Sequence, residues 1–323
     1  MPQKGMNLVM KPSIMVGPVL RIERTSIYDG QGLRTVLFLK GCPLRCRWCS
    51  TPESQEATLQ KGYARNRCVG CGMCVRSCPE GALTMDEDGL KVITDSSKCQ
   101  NCFVCVAKCL QSAHKRYGSL LSVQEVVREI VKDEIFFFHS GGGVTISGGE
   151  PLCQADFVAE VLRECRELGI HTAIETSFYA PYESIAKVLP WLNVLYVDLK
   201  HMDRKFHKQW VGRDNSLILD NLREIDQTSE PLEIVVRLPL VPGANDSDSN
   251  LSATAEFCKS LKKLIEIELL PYHRLGLETY RNLGRDYLLQ ELVPPSSESI
   301  TERANFLALQ NPGVPIRVGR GFS

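Results

Sequence analysis

The chain has 323 residues, 43% hydrophobic and 24% charged, and its 38 Lys and Arg balance 38 Asp and Glu to a formal net charge of zero. That is an ordinary globular composition, with room for one barrel-sized domain and a small insertion and with no basic field to gather nucleic acid. No stretch nears the roughly 20 apolar residues of a membrane span, and residues 1–19, interrupted by Lys4, Lys11, Pro12 and Pro18, lack the apolar core of a secretory leader, which predicts a cytoplasmic protein with reduced thiols.

Six β-rich segments follow along the chain. The first, residues 33–39, runs through Thr35, Val36, Leu37 and Phe38 and leads by Gly41 into Cys42-x3-Cys46-x2-Cys49. Residues 56–115 then break the pattern. They carry Cys68-x2-Cys71-x2-Cys74-x3-Cys78-Pro79 and, 31 residues on, Cys99-x2-Cys102-x2-Cys105-x3-Cys109. Both runs have the spacing of bacterial ferredoxins, in which each run gives three thiolates to one 4Fe–4S cluster and its fourth to the other. The rule assigns Cys68, Cys71, Cys74 and Cys109 to one cluster, and Cys78, Cys99, Cys102 and Cys105 to a second. Metal binding contributes folding energy directly, so two clusters can replace the core that so short a segment cannot assemble. The expected organisation is a ferredoxin-like insertion over 56–115 within a discontinuous domain of residues 1–55 and 116–323.

After the insertion the periodicity changes to 3.6. Residues 122–133 open with a capping box, Ser122 and Glu125, and place Val123, Val126, Val127, Ile130 and Val131 on one face. Segment 144–147 ends in Ser147-Gly148-Gly149-Glu150-Pro151. Helix 156–168 follows, apolar through Phe157, Val161, Leu162, Cys165 and Leu168, with Gly169 as its stop. Segments 172–175, 194–198, 232–237 and 265–270 end in Glu175-Thr176, Asp198-Leu199-Lys200, Arg237 and Pro271-Tyr272-His273. Strands alternating with helices predict a parallel sheet, and six such units predict an open, partial (β/α)6 barrel of the α/β class. All six segments carry polar residues or glycines at their carboxyl ends, and those ends line one mouth of a barrel. Cys153, Cys165 and Cys258 match no ligand spacing and are expected to be free thiols, Cys165 in the core.

Three cysteines in the first run leave one iron of a cluster without a protein ligand, an open position for a substrate. Three thiolates also suit zinc, although zinc normally closes with four ligands. Gly148 and Gly149 permit close backbone approach, and alternation points Asp198 and Lys200 to one side. Their bland counterparts are an ordinary turn and a surface ion pair worth about 0–1 kcal/mol.

The first cysteine run resembles the radical S-adenosylmethionine (SAM) signature. The longer text from Asp29-Gly30-Gln31-Gly32-Leu33-Arg34-Thr35 to Gly41-Cys42-Pro43-Leu44-Arg45-Cys46-Arg47-Trp48-Cys49 resembles the activating enzymes of glycyl radical enzymes. So do Gly142-Gly143-Val144-Thr145-Ile146-Ser147-Gly148-Gly149-Glu150 and Leu269-Leu270-Pro271-Tyr272-His273, and the likeness extends from Ile22 to Val318. The insertion is similar to that of the subgroup activating glycerol dehydratases and choline lyases; the pyruvate formate-lyase activating enzyme lacks it. Gln31 and Leu110 depart from the pattern, each standing where proline is usual.

The resemblance implies that SAM chelates the open iron and is reductively split to a 5′-deoxyadenosyl radical, which takes a hydrogen from a glycine of a partner glycyl radical enzyme, a small-molecule eliminase, lyase or dehydratase. It implies SAM contacts from Trp48, Cys49, Ser50, Gly149, Asp198, Leu199, Lys200 and His273, and from Arg237 to the SAM carboxylate. Glu175 and Thr176, near Asp198, would lie by a monovalent cation. The two further 4Fe–4S clusters would relay electrons from a ferredoxin or flavodoxin, or else only hold the insertion folded. The competing readings are a radical SAM enzyme acting on a small molecule or another peptide residue, an iron–sulfur electron carrier, and a zinc-binding module. Enzymes that mature sulfatases carry their extra cysteines toward the C-terminus, where this chain has only Cys258 after Cys165.

Overall fold

The computed structural model describes residues 15–319. Lys4, Lys11 and Pro12, on which part of the leader argument rests, lie outside the described residues. The chain opens with β1 (Val16–Ser26) and β2 (Arg34–Leu39). Beyond the first cysteine run come β3 (Gln60–Tyr63), α1 (Met73–Arg76), β4 (Leu83–Met85), β5 (Val92–Thr94), α2 (Val104–Lys108) and β6 (His114–Tyr117). The chain returns through β7 (Ser119–Ser122), α3 (Val123–Val131) and α4 (Glu134–Ser140). It then alternates: β8 (Gly143–Gly148), α5 (Ala155–Glu167), β9 (His171–Thr176), α6 (Tyr182–Val188), β10 (Val194–Asp198), α7 (Arg204–Val211) and α8 (Ser216–Asp226). The last elements are β11 (Glu233–Leu240), α9 (Asp248–Lys259), β12 (Leu264–Pro271), α10 (Leu277–Asn282), α11 (Ser297–Gln310) and β13 (Ile316–Val318).

Among the described residues the main sheet has nine strands in the order β13-β12-β11-β10-β9-β8-β2-β1-β7. The six expected strands are β2 and β8 to β12, parallel and adjacent in chain order. The α/β expectation therefore holds, with an open edge at each end. Three strands lie outside that reading. β1 pairs antiparallel with both β2 and β7 although it contains Pro18, and β13 adds three residues in parallel beside β12. One continuous core joins strand residues such as Leu37, Ile146, Ile174, Val197 and Val236 to helix residues such as Ile130, Leu162, Ile185 and Leu222. Each such side chain contributes about 1.5–3 kcal/mol when buried. Cys165 and Cys258 belong to this core, whereas Cys153 is exposed. Leu168, expected on the apolar face of α5, is instead 44% exposed at the helix end, where Gly169 adopts φ +76°.

The segment between β3 and β6 has its own small organisation. β3 pairs with β6 and β4 with β5, both antiparallel. Its apolar centre is only Leu83 and Val92 with Cys74 and Cys105. The 31-residue repeat reappears in the backbone. Gly70 and Gly72 are left-handed at φ +72° and +65°, and their counterparts Asn101 and Phe103 adopt φ +51° and +61°. For a side chain such as Phe103 that conformation costs about 1–2 kcal/mol, so the turn geometry is being held from outside the residue itself.

α3 begins with the expected capping box: Ser122 N donates to Glu125 Oε2 at 2.7 Å, and Glu125 N donates to Ser122 Oγ at 3.3 Å. At its other end Asp133 is fully buried and joins three elements. Its carboxylate accepts Arg24 Nε from β1 at 2.9 Å and Thr35 Oγ1 from β2 at 2.6 Å. Burial opposes ionisation here, but the bonds from Arg24 and Thr35 outweigh it and hold the carboxyl below the usual range. Asp133→Asn is expected to lower stability at neutral pH by about 2 kcal/mol, since Arg24 is half-exposed and recovers water. A depressed pKa gives stability that is present above the unfolded-state pKa of about 4 and is lost as pH falls through the folded value. The gap between parent and variant in urea unfolding should therefore close on acidification; a gap that is constant from neutral to acid pH refutes this account.

Candidate active site

The carboxyl ends of the parallel strands open onto one cavity of about 1190 Å³. Cys42, Cys46 and Cys49 line it, together with Trp48, Ser50, Gly149, Glu175, Thr176, Asp198, Lys200, Arg237 and His273. Residues scattered over most of the chain are thus gathered at one mouth.

The cysteine loop is fixed by backbone bonds on both flanks. Gly41 N donates to Ser54 O at 2.7 Å and Cys42 N to Gln55 O at 3.0 Å. On the other side Arg45 N donates to Val211 O at 2.8 Å and Arg47 N to Trp210 O at 3.0 Å, tying the loop to the end of α7. Beneath it, Leu44 and Trp48 pack with Val211, Val241, Tyr272 and Tyr280 in a second apolar cluster. Burial pushes all three thiols up, Cys46 to about 12, and Lys200 opposes the rise at Cys46 and Cys49. Three soft sulfur donors on a rigid loop, with an ammonium nearby to offset thiolate charge, suit an iron–sulfur group.

The glycine turn after β8 touches this loop directly. Gly149 N donates to Leu39 O at 2.9 Å and Glu150 N to Gly41 O at 2.7 Å. A Cβ on Gly149 would lie 2.2 Å from Gly41 O, and Gly148 has φ +106°. The glycines are therefore required by chain packing on chain, a cause distinct from ligand approach. Glu150, which sequence reasoning passed over, is fully buried. It accepts Thr176 Oγ1 at 2.6 Å, Ser177 N at 2.9 Å and Leu152 N at 3.1 Å, pinning the turn to the end of β9. Its only signal in the sequence was a carboxylate amid small and apolar neighbours.

At the end of β10, Lys200 Nζ donates to Asp198 Oδ2 at 2.6 Å. Burial opposes the charge on Lys200, yet Asp198 and the cysteine thiolates raise its pKa overall. Leu199 does not line the cavity. Its side chain joins the main core, and its backbone N donates to Arg237 O at 2.9 Å. Alternation along the strand makes this unavoidable: with Asp198 and Lys200 facing in, Leu199 must face out.

Arg237 is engaged on every side. It pairs with Glu175, donates Nε to Glu268 Oε2 at 2.7 Å, and its guanidinium lies 4.3 Å from the centre of the Tyr196 ring. Glu175 also accepts Ser147 Oγ at 2.6 Å, and Glu268 pairs with Arg317 at 3.0 Å. A polar belt thus crosses the interior from β8 to β13 through Ser147, Glu175, Arg237, Glu268 and Arg317. Arg237 is a member of that belt and also lines the cavity, where the expected bond to a SAM carboxylate would add to these contacts. Each Glu175 oxygen likewise accepts one bond, from Arg237 or from Ser147. His273 is half-buried, with its Nδ1 accepting Leu275 N at 3.4 Å, and burial lowers its pKa.

Asp29 also lines the cavity. Burial first, and Glu175 second, push its carboxyl up to about 6. The sequence signal was its place at the head of the Asp29-Gly30-Gln31-Gly32 text, which offered no chemical role.

The remaining cysteines fall in the β3–β6 segment. Cys78, Cys99, Cys102 and Cys105 line one small cavity together, the grouping that the crossed ferredoxin rule assigns to a single cluster. Cys78 Sγ accepts Ala82 N at 3.4 Å and Cys109 Sγ accepts Ala113 N at 3.3 Å, the same bond in each repeat.

Residues 36–253 match the family model of the radical SAM superfamily. The isethionate sulfite-lyase activating enzyme of Nitratidesulfovibrio vulgaris is 40% identical over 281 residues, which cover 86% of this chain and 91% of that enzyme. The (2S)-3-sulfopropanediol dehydratase activating enzyme of Klebsiella oxytoca is 40% identical over 85% of this chain and 88% of its own length. The 4-hydroxyphenylacetate decarboxylase activating enzyme of Clostridioides difficile is 40% identical over 84% and 86%. The chain therefore belongs to the radical SAM superfamily and, within it, to the activating enzymes of glycyl radical enzymes, a membership that implies a 4Fe–4S cluster and SAM.

Proposed function

We propose that Cys42, Cys46 and Cys49 hold the SAM-cleaving 4Fe–4S cluster, and that the cavity beside them receives SAM together with a glycine-bearing loop of a partner enzyme. The observation that carries this reading is the convergence of three thiols, the Gly149 turn, the Asp198–Lys200 pair and His273 on one cavity. The cluster held by these cysteines would supply an open iron to chelate SAM and the electron for its reductive cleavage, the chemistry by which a hydrogen atom would be taken from the partner's glycine. The chain's own residues position and shield that event. Trp48 and Tyr272 give the cavity an apolar wall. Asp198 and Lys200, locked to each other, offer fixed opposite charges to a zwitterion and its ribose hydroxyls. His273 offers a neutral imidazole, and Ser50 a hydroxyl at the rim. Glu150 keeps the Gly149 turn against the cysteine loop. The cavity extends between the sheet edges, being lined by Arg21 and Glu23 of β1 and by Arg317 and Val318 of β13, which leaves a side opening for a peptide.

We read residues 56–115 as a ferredoxin-like insertion with two further 4Fe–4S clusters, within a domain formed by residues 1–55 and 116–323. The repeated left-handed turns, the matched N–H to sulfur bonds and the four-thiol cavity support it. Its role is electron relay from a ferredoxin or flavodoxin. A monovalent cation by Glu175 and Asp198 would share carboxylates that also accept Arg237, Ser147 and Lys200. The partner is a glycyl radical enzyme acting on a small sulfonate, diol or aryl acid, the classes that the relatives' names carry.

The defining experiment is anaerobic: reconstituted protein, SAM, reductant and a candidate glycyl radical lyase, dehydratase or decarboxylase. A carbon-centred doublet on the partner with 5′-deoxyadenosine alongside is expected. SAM cleavage that never transfers a radical to any of these partners favours action on a small molecule or another peptide residue. Cys46→Ala should lose about four irons per chain and all SAM cleavage while its thermal unfolding stays within a few degrees of the parent; retained cleavage excludes the assignment. Lys200→Met should raise the KM for SAM about tenfold, equivalent to about 1.4 kcal/mol. An unchanged KM removes Lys200 from SAM binding.

A further inference from the structure

Two charged side chains, Lys61 and Glu80, share the wall of the small cavity with Cys78, Cys99, Cys102 and Cys105. They differ in how they are held. Glu80 is exposed, so water and salt screen it. Lys61 is half-buried on β3, and its Nζ donates to Thr94 Oγ1, a neutral hydroxyl, at 2.8 Å. Its backbone N–H donates to Asn101 Oδ1 at 3.2 Å, inside the loop that carries Cys99 and Cys102. The ammonium is thus tethered at the cavity without being neutralised by the group that tethers it.

We propose that Lys61 sets the reduction potential of the cluster bound by Cys78, Cys99, Cys102 and Cys105, making that cluster easier to reduce than its ligands alone would. The inference rests on the two-cluster reading of residues 56–115. Reduction adds one electron, delivered by a reduced ferredoxin or flavodoxin, or by titanium(III) citrate in a titration. No bond is made or broken and no proton has to move. The cluster gains one negative charge, and a fixed cation beside it stabilises the reduced form more than the oxidised one. Partial burial keeps the interaction from being screened away. Net charge and the surroundings of the sulfurs are the levers by which proteins set such potentials. Lys61 is a positioning residue in this sense, acting on the electron's resting place rather than on SAM or the partner.

The test is a redox titration of the reconstituted full-length protein followed by electron paramagnetic resonance. Lys61→Met keeps the aliphatic stem and removes the charge. At an ambient potential near the midpoint, the reduced-to-oxidised ratio of one auxiliary cluster should fall about two- to tenfold, tenfold being about 59 mV for a one-electron couple. The SAM-cleaving cluster and the other auxiliary cluster should not move. Lys61→Arg keeps the charge and should stay within about twofold of the parent. An unchanged ratio in Lys61→Met, or an equal fall in Lys61→Arg, overturns the proposal. Should Lys61→Met lose its cluster, Thr94→Val frees the ammonium without removing it and should give a smaller fall in the same direction, with no fall counting against Lys61. Iron analysis separates the two levels of the argument: about four irons per parent chain overturns the two-cluster reading, whereas about twelve with immobile potentials overturns the role of Lys61 alone.

Discussion

The site depends on a seam where two strand ends meet through backbone alone. β2 and β8 run parallel with Leu39 opposite Gly148. Beyond that pair Gly149 and Glu150 donate to Leu39 and Gly41. Any side chain on Gly149 would strike the Gly41 carbonyl, so the approach exists only because Gly149 lacks a Cβ. The cysteine loop starts at this contact and inherits its position from it. Glu150 then transfers the constraint to β9 through Thr176 and Ser177. A loop that must hold three thiols in fixed relation cannot be left to its own turn propensities. Here its geometry is set by sheet register, the least deformable feature of the fold.

Charge inside the barrel is organised by the same logic. Glu175, Arg237, Glu268 and Arg317 form alternating pairs from β9 across β10 to β11, β12 and β13. Desolvating such groups is costly, and truncating one member of a buried pair leaves its partner uncompensated at about 3–5 kcal/mol. The belt fixes the floor of the cavity as a unit, with Tyr196 beneath Arg237. The Asp198–Lys200 pair continues this charge toward the thiols, Asp198 lying opposite Arg237 in the sheet and Lys200 acting on Cys46. Asp29 lines the same cavity, its carboxyl raised to about 6 by burial first and Glu175 second.

The parallel strands could be read because each is a short apolar run ending in a polar residue or glycine, the signature of a strand buried on both faces. β1 could not. It holds Pro18 and carries Arg21, Glu23 and Arg24 on its outer half, a pattern that only its pairing with β2 and β7 makes a strand. β13 and the strands of the cysteine-rich segment are three or four residues long, too short for periodicity to register. Spacing singled out the cysteines, and strand-end position placed Asp198, Lys200 and His273 at one mouth, where they line the same cavity. The engagement of Arg237 could not be foreseen, because its partners Glu175 and Glu268 are distant in sequence and meet it only through strand order. Leu199, named by the resemblance as a SAM contact, lies just past the end of β10 with its side chain in the core.

One short connection gives the cysteine-rich segment a standing that its separate core conceals. β6 passes through the single residue Gly118 into β7, the edge strand that covers β1. Gly118 has φ +97°, and a Cβ there would fall 2.5 Å from the Lys40 side chain and 3.1 Å from Val19 O. The segment is therefore not a detachable cassette. Cutting it out at its visible waist would remove the register that brings β7 home and leave β1 with an unpaired flank, whereas moving it to another barrel would require carrying the edge strand along. Gain or loss of such a segment in a lineage would have to preserve this joint, and a designer wishing to graft the segment onto another barrel would begin from the joint.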